Sequence, residues 1–332
     1  MKNKRVVVGF VISTISLFLC VIFSLAIGAR YVPIADVISA IKDKSIETFD
    51  AIVVRERIPR TIFSLMTGAA LGLAGVLMQS ITRNPIADPS ILGVNSGAAF
   101  FVVCGIAFFN ISTAYEYIVL AMLGAAVTAV FVYGIGSVGR GGATPIKLAL
   151  AGTAAATALS SLTSIIMMPK DRVMDSFRFW QIGSVSGANY EKIIVFIPFL
   201  LAGIVFSILL SSHLNILALG DDKATGLGIK PVQIRLFSAI AGVFLCGAAT
   251  ALAGPIGFVG LMVPHMMRLL FTNDMRVLVP MSALGGAIYL TFSDIIGRIL
   301  GGIGELEVGI VTAILGGPIF IIIAMKAKVK SL

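Results

Sequence analysis

The groups in this 332-residue chain that could bind a metal, attack a substrate or move a proton are few, with two histidines and three cysteines among them. Cys20, Cys104 and Cys246 are scattered through apolar runs and form neither a disulfide framework nor a metal-ligand spacing. His213 and His265 have no carboxylate neighbour in sequence, so no nucleophile–base–acid set emerges. The one glycine-rich lookalike of a phosphate loop, Gly220 to Gly228, lacks the order and spacing of Gly-x-x-x-x-Gly-Lys-Ser/Thr. ATP hydrolysis on this chain is therefore not expected. Asp294 and Arg298 lie four residues apart in an apolar run and read as a satisfied pair on one helix face. A proton-coupled carrier needs a titratable group deep in a span, and nearly all other charges fall near the ends of the apolar runs. His265, beside Arg268, reads as a packing or hydrogen-bonding residue. Met167, Met168, Met262, Met266 and Met267 read as helix packing. What remains is the chemistry of passage and docking, not of bond making.

The elements that position these residues are membrane helices. Apolar residues make up 58% of the chain and charged ones 12%, with a mean hydropathy of +1.03; soluble domains carry about 25% charged residues. The apolar runs are continuous and lack the alternation of a membrane barrel. They predict an all-α polytopic protein of ten spans in one transmembrane domain over 1–332, near 6–28, 61–81, 92–109, 117–138, 146–168, 192–211, 234–253, 256–271, 279–299 and 308–325. The run 6–28 exceeds a signal-peptide core and reads as a retained span. Lys2, Lys4 and Arg5 precede the first span, and Lys326, Lys328 and Lys330 follow the last, which places both termini in the cytoplasm. The net charge of +9 sits at ends and loops without an aromatic-interleaved stripe, so nucleic acid is excluded as a partner.

Several motifs break the pattern of plain spans. Gly68-x-x-x-Gly72 permits close helix contact and reads as bundle packing. Arg55 and Glu56 can pair with each other. The block Gly254 to Arg268 is apolar yet carries three glycines and two prolines, which membrane helices tolerate where they pack against protein. Trp180 lies in a polar segment expected outside, as an interfacial anchor or a packing residue near the outer mouth.

In their order and separation, Arg57–Arg60, Gly68–Gln79, Arg83–Pro89 with Leu92 and Gly93, Trp180–Ser184, Leu214–Gly220, Gly254–Arg268, Asp294 with Arg298, and Glu307–Thr312 resemble one family. The chain is similar, from about residue 30 onward, to the FecCD-type permeases of ABC importers for ferric siderophores, haem and cobalamin. The resemblance implies a bundle like the cobalamin importer permease, in the bacterial cytoplasmic membrane. Its implied partners are a second copy or a similar permease, two cytoplasmic ABC ATPases and an extracytoplasmic substrate-binding protein. The permease itself is not an enzyme and holds no cofactor or metal; ATP and Mg belong to the ATPases. A ferric siderophore is the expected cargo, with haem or cobalamin the alternative and a proton-coupled carrier a more distant one.

The resemblance also implies sites. Arg57, Arg60 and Arg298, at the outer ends of the second and ninth expected spans, match arginines that receive binding-protein carboxylates, a task suited to guanidinium forks. Asn215, Ile216, Leu217, Leu219, Gly220, Asp221, Asp222, Ala224, Gly226, Leu227 and Gly228 match the segment that seats in the ATPase. That segment has an apolar start, a glycine break, acids to open a short helix, and glycines to end it. Asn84 and Ile86, with Ala143 and Thr144 after the fourth expected span, match the cytoplasmic gate.

Overall fold

The computed structural model describes residues 2–85, 87–139, 145–169 and 171–326. Their regular structure is entirely helical: α1 (Lys2–Ala26), α2 (Ile34–Lys42), α3 (Phe49–Thr82), α4 (Val94–Cys104), α5 (Ala114–Gly136), α6 (Pro145–Met167), α7 (Asp171–Ile182), α8 (Tyr190–Leu217), α9 (Asp221–Gly226), α10 (Pro231–Ala253), α11 (Val259–Leu270), α12 (Met275–Gly301) and α13 (Val308–Lys326). Seven helices are long and apolar enough to cross a membrane: α1, α3, α5, α6, α8, α10 and α12. Three shorter apolar helices, Val94–Phe109, Val259–Leu270 and Val308–Ile322, occupy the other three stretches expected to span.

The centre of the bundle is α3. It starts twelve residues before the expected span, because Thr48 caps it by accepting from the Ala51 amide and because its charged first half is paired within the protein. Its middle is sheathed by α8, α10, α11 and α12. Gly68 and Gly286 explain how close α12 comes: a Cβ on either would collide with the other's carbonyl oxygen. A Cβ on Gly75 would likewise collide with the carbonyl oxygen of Gly260 on α11. Without a water-driven hydrophobic force between membrane helices, such close backbone approach is what stabilises their contact. The Gly68–Gly72 spacing therefore serves bundle packing.

Large apolar residues such as Phe10, Ile15 and Phe18 on α1 and Val130 and Phe131 on α5 stay exposed on the outside of the bundle. The segment before α3 has its own small core of Val32, Val37, Ala40, Ala51 and Val54. Arg55 does not pair with Glu56; its Nη2 donates to the carbonyls of Asp43 and Ile46, which ties α3 to the turn after α2. The Gly254–Arg268 block divides at Phe258, whose φ of 68° lets it cap α11. Trp180 is on α7, where its Nε1 donates to the Ala251 carbonyl at 3.1 Å and its ring packs on Phe177.

Candidate functional site

Two polar clusters terminate α3, one near Arg60 and one at Arg83. Twenty-three residues of helix separate them, about 35 Å at 1.5 Å per residue.

At the first, the α3 side chains Arg57 and Arg60 meet Asp294 and Arg298 of α12. Arg60 donates to Asp294 from Nε at 3.0 Å and from Nη2 at 2.7 Å, and from Nη1 to Glu305 at 2.6 Å. Arg298 lies 3.1 Å from Asp294, as its spacing predicts, and donates to both the carbonyl and the hydroxyl of Ser24 on α1. Arg57 donates to the carbonyls of Leu25 and Arg30. Three guanidinium groups thus face two carboxylates, leaving one excess positive charge.

Arg57 and Arg298 are 7% and 2% exposed, with their guanidinium groups turned into the chain. Both spend their donors on the end of α1, which fastens it to α3 and α12. Arg60 differs in its second partner, because the Glu305 side chain is 34% exposed. Glu305 also holds a φ of 33°, a conformation rare for a residue with a Cβ.

At the second cluster, Gly220 breaks the chain with a φ of 108°, α9 runs from Asp221 to Gly226, and Gly228 turns it back with a φ of 81°. Pro231 then opens α10, where a missing amide costs nothing. Asn215 near the end of α8 donates to Asp274 at 2.7 Å and accepts from the Met275 amide at 2.8 Å, so α8 and α12 are joined here. Leu217 and Ala224 are buried anchors, whereas Leu219 and Leu227 are 56% and 61% exposed. Asp222 also faces out, and Ile216 is half-buried. Partial burial pushes the Asp221 carboxyl up, but Arg235 and Arg83 outweigh it and hold the group below its ordinary range. Of the four expected gate residues, Asn84 is described, its carbonyl accepting from the Ala87 amide at 3.1 Å. Ile86, Ala143 and Thr144 lie outside the described residues.

Between the ends, α6 carries a feature that the reading of the sequence passed over. Thr153, Thr157, Ser160, Ser161 and Ser164 line a groove of about 590 Å³ together with Ser90 and Gly152. Thr153, Thr157, Ser161 and Ser164 each donate to the carbonyl four residues back, and their oxygens can still accept. The signal was available as hydroxyls at helical spacing within one apolar run. Arg60–Glu305 and Arg83–Asp221 had no such signal, since 245 and 138 residues separate the partners.

No group of three or more His, Cys, Asp or Glu side chains converges as a metal site among the described residues. The Nδ1 of His265 is buried without a hydrogen-bond partner there, while Arg268 bonds Gln79 at 2.6 Å.

The sequence profile of the FecCD transport family matches residues 16–326. The chain is 44% identical to the ferric enterobactin transport system permease protein FepD of Escherichia coli (strain K12), an alignment that covers 93% of this chain and 92% of that one. It is 32% identical to the hemin transport system permease protein HmuU of Yersinia pestis, over 82% of each chain. Among solved structures, an inward-facing conformation of a metal-chelate type ABC transporter superposes with a TM-score of 0.83 at 29% identity, covering 98% of this chain and all of that chain.

Proposed function

The chain belongs to the FecCD transport family and is a multi-pass permease of an ABC importer, and from that premise we propose that it carries a ferric siderophore across the cytoplasmic membrane. The observation that carries this reading is the hydroxyl-lined groove on α6. A helix facing only lipid gains nothing from five hydroxyls on one side. A passage for a large polar chelate needs such a wall, with many weak acceptors and no strong site. A second copy, or a similar permease, supplies the opposite wall. The cargo assignment rests on the relatives, several of which are named for iron chelates, and the catecholate class is the first to test because FepD is named for ferric enterobactin. Haem is the second reading, favoured by the likeness to HmuU.

Energy comes from two cytoplasmic ATPases seated against α9, where exposed Leu219 and Leu227 flank the acids Asp221 and Asp222. Apolar tips on an otherwise polar end suit a protein groove better than water. At the other end, an extracytoplasmic binding protein presents a carboxylate that replaces Glu305 on Arg60. Arg57 and Arg298 hold the floor of that site. Both termini are cytoplasmic, and Asn84 belongs to the inner gate.

The test is uptake of radiolabelled cargo in a deletion strain under iron limitation, across catecholate and hydroxamate siderophores, haem and cobalamin. Loss of one siderophore class, restored by wild type but not by Thr157→Phe/Ser161→Phe, is the expected result. Loss of haem uptake alone moves the cargo to the second reading, and full uptake by the phenylalanine variant sinks the α6 passage. Capture of the binding protein is read in parallel: Glu305→Gln strengthens it and Arg60→Ala weakens it if docking is at Arg60.

A further inference from the structure

The turn that ends α3 and the helix α9 are separate in sequence and joined in space by one carboxylate. Asp221 Oδ1 accepts from Arg83 Nη2 at 2.5 Å and from Arg235 Nη2 at 2.8 Å. The same Arg83 nitrogen donates to the Leu217 carbonyl at 2.9 Å, close to the end of α8. Arg83 thus grips α9 at its first residue and at the helix leading into it. To do so it takes a left-handed backbone, φ 51°, at the position that closes α3. That conformation is disfavoured for any side chain with a Cβ.

Stability does not account for this arrangement. The side chains of Arg83 and Asp221 are 43% and 44% exposed, and ion pairs in contact with solvent contribute little net free energy. What the geometry supplies is a direct link between two elements far apart in sequence. One residue beyond Arg83 stands Asn84, whose carbonyl accepts from the Ala87 amide, and the side chain of Asp88 caps the short helical turn Pro89–Leu92. A displacement of α9 is therefore delivered to the start of this turn through side chains, not only through the backbone of α8.

We propose that Asp221 is a positioning residue that transmits movement of α9 to the turn that follows α3, with Arg83 as its receiver. This rests on the reading of α9 as the ATPase seat and of the turn as the gate. The intact importer, reconstituted in proteoliposomes with its ATPases and binding protein, is the system for the test. The readouts are cargo moved per ATP hydrolysed and retention of the ATPase by the permease.

Arg83→Ala and Asp221→Ala each lower cargo per ATP by about tenfold, the scale of coupling between linked sites, and the double variant is no worse than either single one. Arg83→Lys, which keeps the charge, restores the ratio in large part. Arg235→Ala, which leaves the Arg83–Asp221 contact in place, keeps it near wild type. An unchanged ratio in both alanine variants overturns the link. So does an Arg235→Ala defect equal to that of Arg83→Ala, since that marks a merely structural corner. A Leu219→Asp/Leu227→Asp variant separates the levels. If it still retains its ATPase, the seating reading itself fails; if it loses the ATPase while the alanine variants transport normally, only the link fails.

Discussion

Asp294 is 1% exposed within a membrane helix, a position where a lone carboxylate would be expensive to ionise. Arg60 grips it through two nitrogens, and Arg298 approaches from one turn further along the same helix. Removing one partner of such a pair leaves a buried charge uncompensated, which costs about 3–5 kcal/mol, whereas removing both costs much less. Asp294→Ala, which strips two buried guanidinium groups of the carboxylate they share, is thus expected to destabilise the purified permease by about 3–5 kcal/mol, and Arg60→Ala, which leaves the Asp294–Arg298 pair in place, to cost clearly less. Thermal unfolding in detergent checks it, and an Asp294→Ala variant no less stable than Arg60→Ala would show that the shared carboxylate is not the source. The sequence exposed half of this arrangement. The four-residue spacing of Asp294 and Arg298 gave their pairing directly, but Glu305 sits beyond the end of α12 and points back to a residue on α3. No local pattern reports a contact of that kind, which is why the partners of Arg57 and Arg60 within the chain went unread.

At the scale of elements, α3 and α12 are fastened by glycines. The carbonyl of Gly286 occupies the place of a Cβ on Gly68, and the carbonyl of Gly68 that of a Cβ on Gly286. Gly68→Ala must therefore push the helices apart, and overpacking of this kind costs about 1–3 kcal/mol. The measured outcome is a lower melting temperature, with a larger loss for Gly68→Ala/Gly286→Ala; an unchanged value would show that the helices can part freely. Most element boundaries were legible, because apolar runs and glycine or proline breaks are local signals. Gly220 and Gly226 marked the two ends of α9 within a residue, whereas α10 starts at Pro231, three residues before the expected span. The start of α3 was hidden for the opposite reason: Arg55, Glu56, Arg57 and Arg60 look like a loop until their partners are known. Helices α2 and α7 were unread because they are too short or too polar for a span.

At the scale of the whole molecule, the two polar clusters assign an end to α1, α3, α8, α10 and α12. The last turn of α1 meets Arg57 and Arg298, so its first turn lies at the α9 end, where a Cβ on Gly9 would collide with the Phe271 ring. α13 begins beside Gly183, near the other end, and runs back. On the proposed orientation, with basic flanks at the chain ends, the α9 end faces the cytoplasm. With the native cysteines replaced, Gly226→Cys should react with a membrane-impermeant thiol reagent only in inverted vesicles, and Glu47→Cys only in intact spheroplasts. The reverse pattern would invert the orientation and with it the roles given to both clusters.

The close fit of α3 to α12 also has a mechanical meaning. Helices that touch backbone to backbone cannot slide past each other, so the pair behaves as a lever about 35 Å long between Arg60 and Arg83. Rocking such a lever by about 10° about one end carries the other by about 6 Å, roughly one helical turn. A carboxylate arriving at Arg60 and a nucleotide closing beneath α9 would then pull on opposite ends of the same rigid arm, and neither would need to deform it.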